Sequence, residues 1–163
     1  MSIPTILVIE DNVADIFLFR HFLDEQGEAY LFEVLPDGEA ALTFVAEHRS
    51  GARQHEPCVI LLDLHLPKYN GIEVLTAIRT EPILAHIHVV VLTSDASPAD
   101  RAEIAELGGI CCFKPSDLDT VKALAIDILA LCKGRANGLV TTTLASPKAL
   151  SLEGRELAAD NVD

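Results

Sequence analysis

The sequence predicts an α/β domain, a parallel β-sheet with helices on both faces. Short apolar or β-branched runs alternate about five times with segments of helix length, the pattern of right-handed strand–helix–strand crossovers. One of these runs, Cys58-Val59-Ile60-Leu61-Leu62, is apolar without interruption, as a strand buried on both faces must be. Four of the runs then stop at polar residues of particular kinds: Glu10-Asp11, Asp63, Thr93 and Lys114.

Ile6 to Ile9 is the first strand. The helix after it, Val13 to Gln26, stops at Gly27, a residue suited to the left-handed turn that ends helices. Its apolar residues project in almost every direction. One stripe can face the sheet, and the remainder around Ile16 and Phe17 is left for a helical partner or a neighbouring helix. Tyr30 to Leu35 alternates weakly, as a strand does. Asp37 can cap a helix over Glu39 to His48. A polar connection leads to the strand that ends in Asp63, and Pro67 and Asn70-Gly71 then turn the chain into a helix from about Ile72 to Arg79, broken at Pro82. Ile87 to Leu92 is β-branched, and Ser97-Pro98 supplies a cap and a first-turn proline for a helix through Leu107. Gly108-Gly109 leads into Ile110 to Phe113. A last helix, Asp117 to Cys132, carries helical spacing at Leu118, Val121, Leu124, Ile128 and Leu131. Residues 133–163 change character and are too few for a core of their own. They read as a linker, with Ser146-Pro147 able to cap a short helix, or as a docking and dimerisation arm.

The 163 residues suffice for one domain plus this appendage, at 50% hydrophobic and 23% charged. The net charge of −13 repels phosphate backbones and argues against nucleic-acid binding. No apolar run approaches membrane-spanning length, and Met1-Ser2-Ile3-Pro4 lacks the basic start of a signal peptide, so a cytoplasmic location is expected. Cys58, Cys111, Cys112 and Cys132 have neither zinc-site nor disulfide-framework spacing and read as buried thiols. Cys111 and Cys112 should point to opposite faces of one strand. His86-x-His88 has metal-ligand spacing but no further ligand type near it in sequence.

In a parallel sheet all the polar strand exits lie on one edge, where such folds bind ligands. Singly these residues have ordinary readings: Glu10 and Asp11 as acids at a helix start, Thr93 as a cap, Lys114 as a solvated charge. Together, three carboxylates repel one another until a hard divalent cation such as Mg²⁺ joins them, and Lys114 and Thr93 add a charge and a hydroxyl suited to a phosphoryl group.

On these residues (Glu10-Asp11, Asp63 followed by Leu66-Pro67 and Gly71, Thr93-Ser94 and Lys114-Pro115) the chain resembles response-regulator receiver domains of the chemotaxis-regulator type, from about Ile6 to Cys132. The opening Glu10-Asp11-Asn12-Val13-Ala14-Asp15 is also similar to standalone receivers that serve bacterial phytochromes. The resemblance implies a flavodoxin-like, doubly wound five-stranded sheet of order 2-1-3-4-5, with residues 1–132 as the receiver. It implies that Asp63 accepts a phosphoryl group from a kinase phosphohistidine. Asp11, Asp63 and the main-chain carbonyl of His65 would ligate Mg²⁺, with Glu10 acting through a water. Thr93 would hydrogen-bond the phosphoryl oxygen, Lys114 would pair with Asp63 and then with the phosphate, and Lys114-Pro115 would be cis. The implied partners are a sensor histidine kinase, a bacteriophytochrome among the candidates, a downstream or phosphotransfer protein, and a second copy of the chain. Such a chain is a phosphoacceptor and not an enzyme acting on a separate substrate.

One position departs from that pattern. Three residues before the lysine, where the family usually has an aromatic ring, stands Cys111. A thiol cannot fill or vacate a pocket as a ring does. A loop shift or altered dimerisation through the last helices and tail is the expected output instead.

Three rival readings compete. A flavin-binding electron carrier shares the strand order, but Glu10-Asp11-Asn12 would repel the cofactor's phosphate. A haloacid-dehalogenase-type phosphatase needs an Asp two residues beyond the nucleophile, where this chain has His65. An inactive scaffold would not be expected to retain Asp11, Asp63, Thr93 and Lys114 together.

Overall fold

The computed structural model describes residues 2–134. Its elements run β1 (Thr5–Ile9), α1 (Val13–Glu25), β2 (Leu31–Leu35), α2 (Gly38–Arg49), β3 (Val59–Asp63), α3 (Gly71–Thr80), β4 (His88–Thr93), α4 (Pro98–Glu106), β5 (Ile110–Phe113) and α5 (Leu118–Cys132). All strands are parallel, in the order β2-β1-β3-β4-β5. This is the doubly wound sheet that the resemblance implied. The chain winds one way from β1 to β2 and the other way from β3 onward, so the switch point lies between β1 and β3.

Strand parity divides the core in two. Ile6, Val8, Val59, Leu61, Val90, Leu92 and Cys112 pack with α1 and α5. Their immediate neighbours Leu7, Ile9, Ile60, Leu62, Val89, Val91 and the half-buried Cys111 pack with α2, α3 and α4. The two-residue period of a strand accounts for this, and it sets Cys111 and Cys112 on opposite faces. Extending the parity past the strand ends places Glu10, Asp63 and Lys114 on the α1/α5 face and Thr93 on the other.

Caps fix the helix starts. Asn12, Asp37, Asn70, Ser97 and Asp117 each accept hydrogen bonds from main-chain N–H groups of the first turn of the helix that follows. On α1, Phe19, Phe22 and Leu23 are buried and Ile16 and Leu18 are half-buried against the same core. The surplus apolar surface falls on Val13 and Phe17, 77% and 73% exposed, and not on Ile16.

Two expectations are corrected here. Cys58 and Cys132 are not buried thiols but a disulfide, with Cα atoms 5.2 Å apart across 74 residues of sequence. The cause is topological: α5 packs back along β3, so its last residue meets the residue that precedes that strand. Cys112 keeps the predicted role, and burial pushes its thiol up to about 12. The Lys114-Pro115 bond is trans, as no described peptide bond is cis. Trans is the lower-energy isomer of an X–Pro bond by about 0.5–1 kcal/mol.

His86 and His88 are exposed at the start of β4, with His86 Nε2 3.2 Å from Glu56 Oε2, and they join no cluster of three ligands among the described residues. No described helix is long and apolar enough to cross a membrane. The tail expected over 133–163 lies, from Arg135 onward, outside the described residues.

Candidate functional site

β1 delivers Glu10 to the switch point. The ladder continues one residue past the strand, where the Glu10 N–H donates to the Leu35 carbonyl at 3.1 Å. Glu10 Oε1 in turn accepts from the Asn12 N–H at 3.0 Å, so the carboxylate is held against the turn that opens α1. β3 ends in Asp63, whose Oδ1 accepts from the His65 N–H at 3.1 Å. β4 ends in Thr93, almost fully buried, whose hydroxyl oxygen accepts from the Asp95 N–H at 3.1 Å. Beyond β5 the Lys114 N–H donates to the Thr93 carbonyl at 2.8 Å, which brings the lysine to the same edge.

The four strand exits therefore converge, as the sequence predicted. Glu10, Asp11 and Asp63 place carboxylate oxygens within 4.8 Å of one another, the first and last buried and Asp11 exposed. Lys114 Nζ lies 2.9 Å from Glu10 Oε2, 3.2 Å from Asp63 Oδ2 and 3.5 Å from Asp15 Oδ2. Burial pushes Glu10 up to about 7, despite the opposing hydrogen bond from Lys114. Burial alone would lower Lys114, but the hydrogen bond to Glu10 and the charges of Asp63 and Glu10 outweigh it and hold the ammonium above its ordinary value. The donor set is all oxygen and carries more negative charge than one lysine balances, which suits a hard divalent cation.

Sequence reasoning missed three features of this edge. Asp15, in the first turn of α1, joins Lys114; only its place in the acidic opening segment hinted at it. His65 Nε2 lies 2.8 Å from Asp95 Oδ1 and spans two loops, a contact with no sequence signal. A cavity of about 310 Å³ adjoins Glu10 and Lys114, walled by Leu18, Phe19, Leu61, Leu92 and Leu124.

The loop from β3 to α3 wraps tightly around Asp63. The Gly71 N–H donates to the Leu64 carbonyl at 2.8 Å, and a Cβ at Gly71 would stand 2.6 Å from the Asp63 main-chain oxygen. That approach requires glycine. Lys68 in the same loop has a φ of 71°, a left-handed conformation that a side chain adopts at a cost. Its ammonium is paired with Asp37 at 3.3 Å and with Glu39.

The structure is thus a doubly wound α/β domain that gathers three carboxylates, one lysine and a buried threonine along one edge of its sheet, the edge where such folds bind ligands. Residues 6–125 match the model of the response regulator receiver domain, and the chain belongs to that family. The probable methanogenesis regulatory protein FilR2 of Methanothrix harundinacea is 42% identical over 95 residues, 58% of this chain and 61% of that protein. The chain thus spans less than two thirds of FilR2. Response regulator Rcp1 of Synechocystis sp. is 38% identical over 106 residues, 65% of this chain and 72% of Rcp1. Among crystal structures, the phosphorylated cyanobacterial phytochrome response regulator RcpA superposes with a TM-score of 0.73 at 30% identity, covering 83% of this chain and 98% of RcpA. The Mn²⁺-bound form of Rcp1 gives 0.67 at 33%, covering 78% and 92%. The narrower resemblance, to phytochrome-associated response regulators, is thereby borne out.

Proposed function

We propose that the receiver domain of this chain accepts a phosphoryl group on Asp63 from the phosphohistidine of a sensor histidine kinase. The observation that carries this reading is the shared lysine: Lys114 Nζ contacts both Glu10 and Asp63 beside the three-carboxylate cluster. Likeness to the bacteriophytochrome response regulator AtBRR, with a TM-score of 0.62 at 33% identity, supports a bacteriophytochrome as the kinase.

In the transfer, Asp63 Oδ2 forms a bond to phosphorus as the phosphorus–nitrogen bond to the donor histidine breaks, and the departing imidazole takes up a proton. The His65 N–H on Oδ1 holds the carboxylate's rotamer and leaves Oδ2 for attack. Lys114 then moves its contact from Asp63 to a phosphoryl oxygen, and the Thr93 hydroxyl donates to another. Asp11, Asp63 and the main-chain carbonyl of His65 would hold Mg²⁺, with Glu10 acting through a water. The ion supplies positive charge against the phosphoryl oxygens. Likeness to the Mn²⁺-bound form of Rcp1 supports a divalent cation here.

Cys111 packs half-buried in the α4 side of the core, and burial pushes its thiol up. With no ring to swing, output passes through the Thr93 loop to a protein partner, a phosphotransfer protein or a second copy of the chain. The test is incubation with acetyl phosphate and Mg²⁺. Intact mass should rise by one phosphoryl group in the wild type and not in Asp63→Asn; uptake by the variant at the wild-type rate would reject the assignment.

A further inference from the structure

The disulfide lies at the other end of β3 from Asp63. Cys58 precedes the strand and Cys132 closes α5, the helix that follows Lys114 and Pro115. One covalent bond therefore fastens the far ends of the two elements that border the carboxylate–lysine cluster. Both cysteines are partly exposed and line an open cleft of about 960 Å³ with Pro4, His86, His88 and Lys133. A small thiol can reach the bond from solvent.

The surroundings also provide for the opened state. Cys58 Sγ lies 3.2 Å from the Thr5 main-chain oxygen, an acceptor ready for the Cys58 thiol once the bond is broken. Ile128, Leu129 and Leu131 of α5 belong to the same buried apolar cluster as Val59 and Leu61, an attachment of the helix separate from the cross-link. Solvent-reachable disulfides are the exchangeable ones, and in reducing compartments disulfides are mostly transient or redox-sensing.

We propose that Cys58 and Cys132 form a thiol–disulfide exchange site for a dithiol reductant, through which redox state sets how firmly the end of α5 is held. A reductant thiolate attacks Cys132 Sγ, the more open side because Lys133 and Gly134 are exposed while Pro57 and Val59 flank Cys58 and are buried. The Cys58–Cys132 bond breaks as the mixed disulfide forms, and Cys58 leaves as a thiolate and takes a proton. The second reductant thiolate attacks its own mixed-disulfide sulfur and releases Cys132, which is protonated. Two electrons and two protons reach the protein, and the dithiol becomes a disulfide.

The experiment uses the full chain in graded dithiothreitol and in a glutathione redox buffer, read by alkylation mass and by hydrogen exchange. Reduction should add two alkylated cysteines to the folded protein and speed exchange in Ile128 to Lys133. It should lower Tm by about 10 °C, from the loop that the bond closes. Oxidised glutathione should reverse all three changes. Cys132→Ser should reproduce the reduced exchange pattern, and Cys58→Ser serves the same purpose should that variant not fold. Full alkylation of both cysteines without reductant would overturn the proposal, as would a bond that resists reduction until the protein unfolds. Unchanged exchange at the end of α5 after reduction would do so too. Phosphoryl uptake at Asp63, measured on the same samples, reports the opposite edge and is read separately.

Discussion

Lys114 Nζ stands closer to Glu10 Oε2, at 2.9 Å, than to Asp63 Oδ2, at 3.2 Å. The lysine is shared between the ends of β1 and β3 and committed to neither. With Asp11 and Asp15 also at this edge, four carboxylates face one ammonium. The remaining negative charge is what a divalent cation would relieve, and what a phosphoryl group would otherwise meet.

Mg²⁺ should accordingly raise the melting temperature, because a ligand that binds only the folded state stabilises it by mass action, about 2.7 kcal/mol at a hundredfold excess over Kd. Asp63→Asn and Asp11→Asn should each blunt that gain. A thermal-shift titration decides the matter, and a wild type indifferent to Mg²⁺ would count against the site.

Proton linkage gives a second test. Glu10, pushed by burial from an ordinary 4.5 to about 7, holds a proton in the folded chain over a pH range where the unfolded chain has released it. Its contribution is therefore complete below about pH 4.5 and is lost as pH rises through about 7. The slope is at most about 1.4 kcal/mol per pH unit for a single proton. Urea unfolding without metal should show this decline across that window, and Glu10→Gln should flatten it. Equal slopes in the two proteins would place the linkage elsewhere.

The loop around Asp63 predicts a third outcome. A methyl at Gly71 meets the Asp63 oxygen at 2.6 Å and the Leu64 Cα at 2.8 Å, both backbone atoms that cannot rotate away. Gly71→Ala should cost about 1–3 kcal/mol, as overpacking does. It should also slow phosphoryl uptake, because the displaced atoms belong to the loop that holds Asp63. A variant with lowered stability and unchanged uptake would separate the loop from the chemistry.

Much of this arrangement was legible because it is written in strand ends. Glu10, Asp63, Thr93 and Lys114 each follow an apolar run, and a parallel sheet carries such exits to one edge whatever the loops do. Element bounds also came through to within one or two residues where a cap was present, as at Asn12, Asp37 and Ser97. Contacts between distant segments left no local trace. Cys58 and Cys132 are 74 residues apart, and only the return of α5 along β3 brings them to 5.2 Å. The His65–Asp95 pair depends likewise on two loops meeting. The trans Lys114-Pro115 bond differed from an expectation that rested on family likeness, since a dipeptide alone does not fix its isomer.

The exposed face of α1 yields the last prediction. Val13 and Phe17 are four residues apart, so they share one side of the helix, and both are largely solvent-exposed two to six residues after Asp11. An isolated exposed hydrophobe is ordinary, but a pair beside the carboxylate–lysine edge would, under the proposed function, offer apolar contact to a helix of the kinase that delivers phosphate. Phe17→Ser should leave stability within about 0.5 kcal/mol, since the ring packs on little in the free chain. It should slow transfer from a cognate histidine kinase about tenfold, the equivalent of about 1.4 kcal/mol of lost contact. Uptake from acetyl phosphate, which needs no protein surface, should be unchanged. Equal losses with both donors would mean that Phe17 supports the site itself, and no loss with either would leave this face outside the encounter.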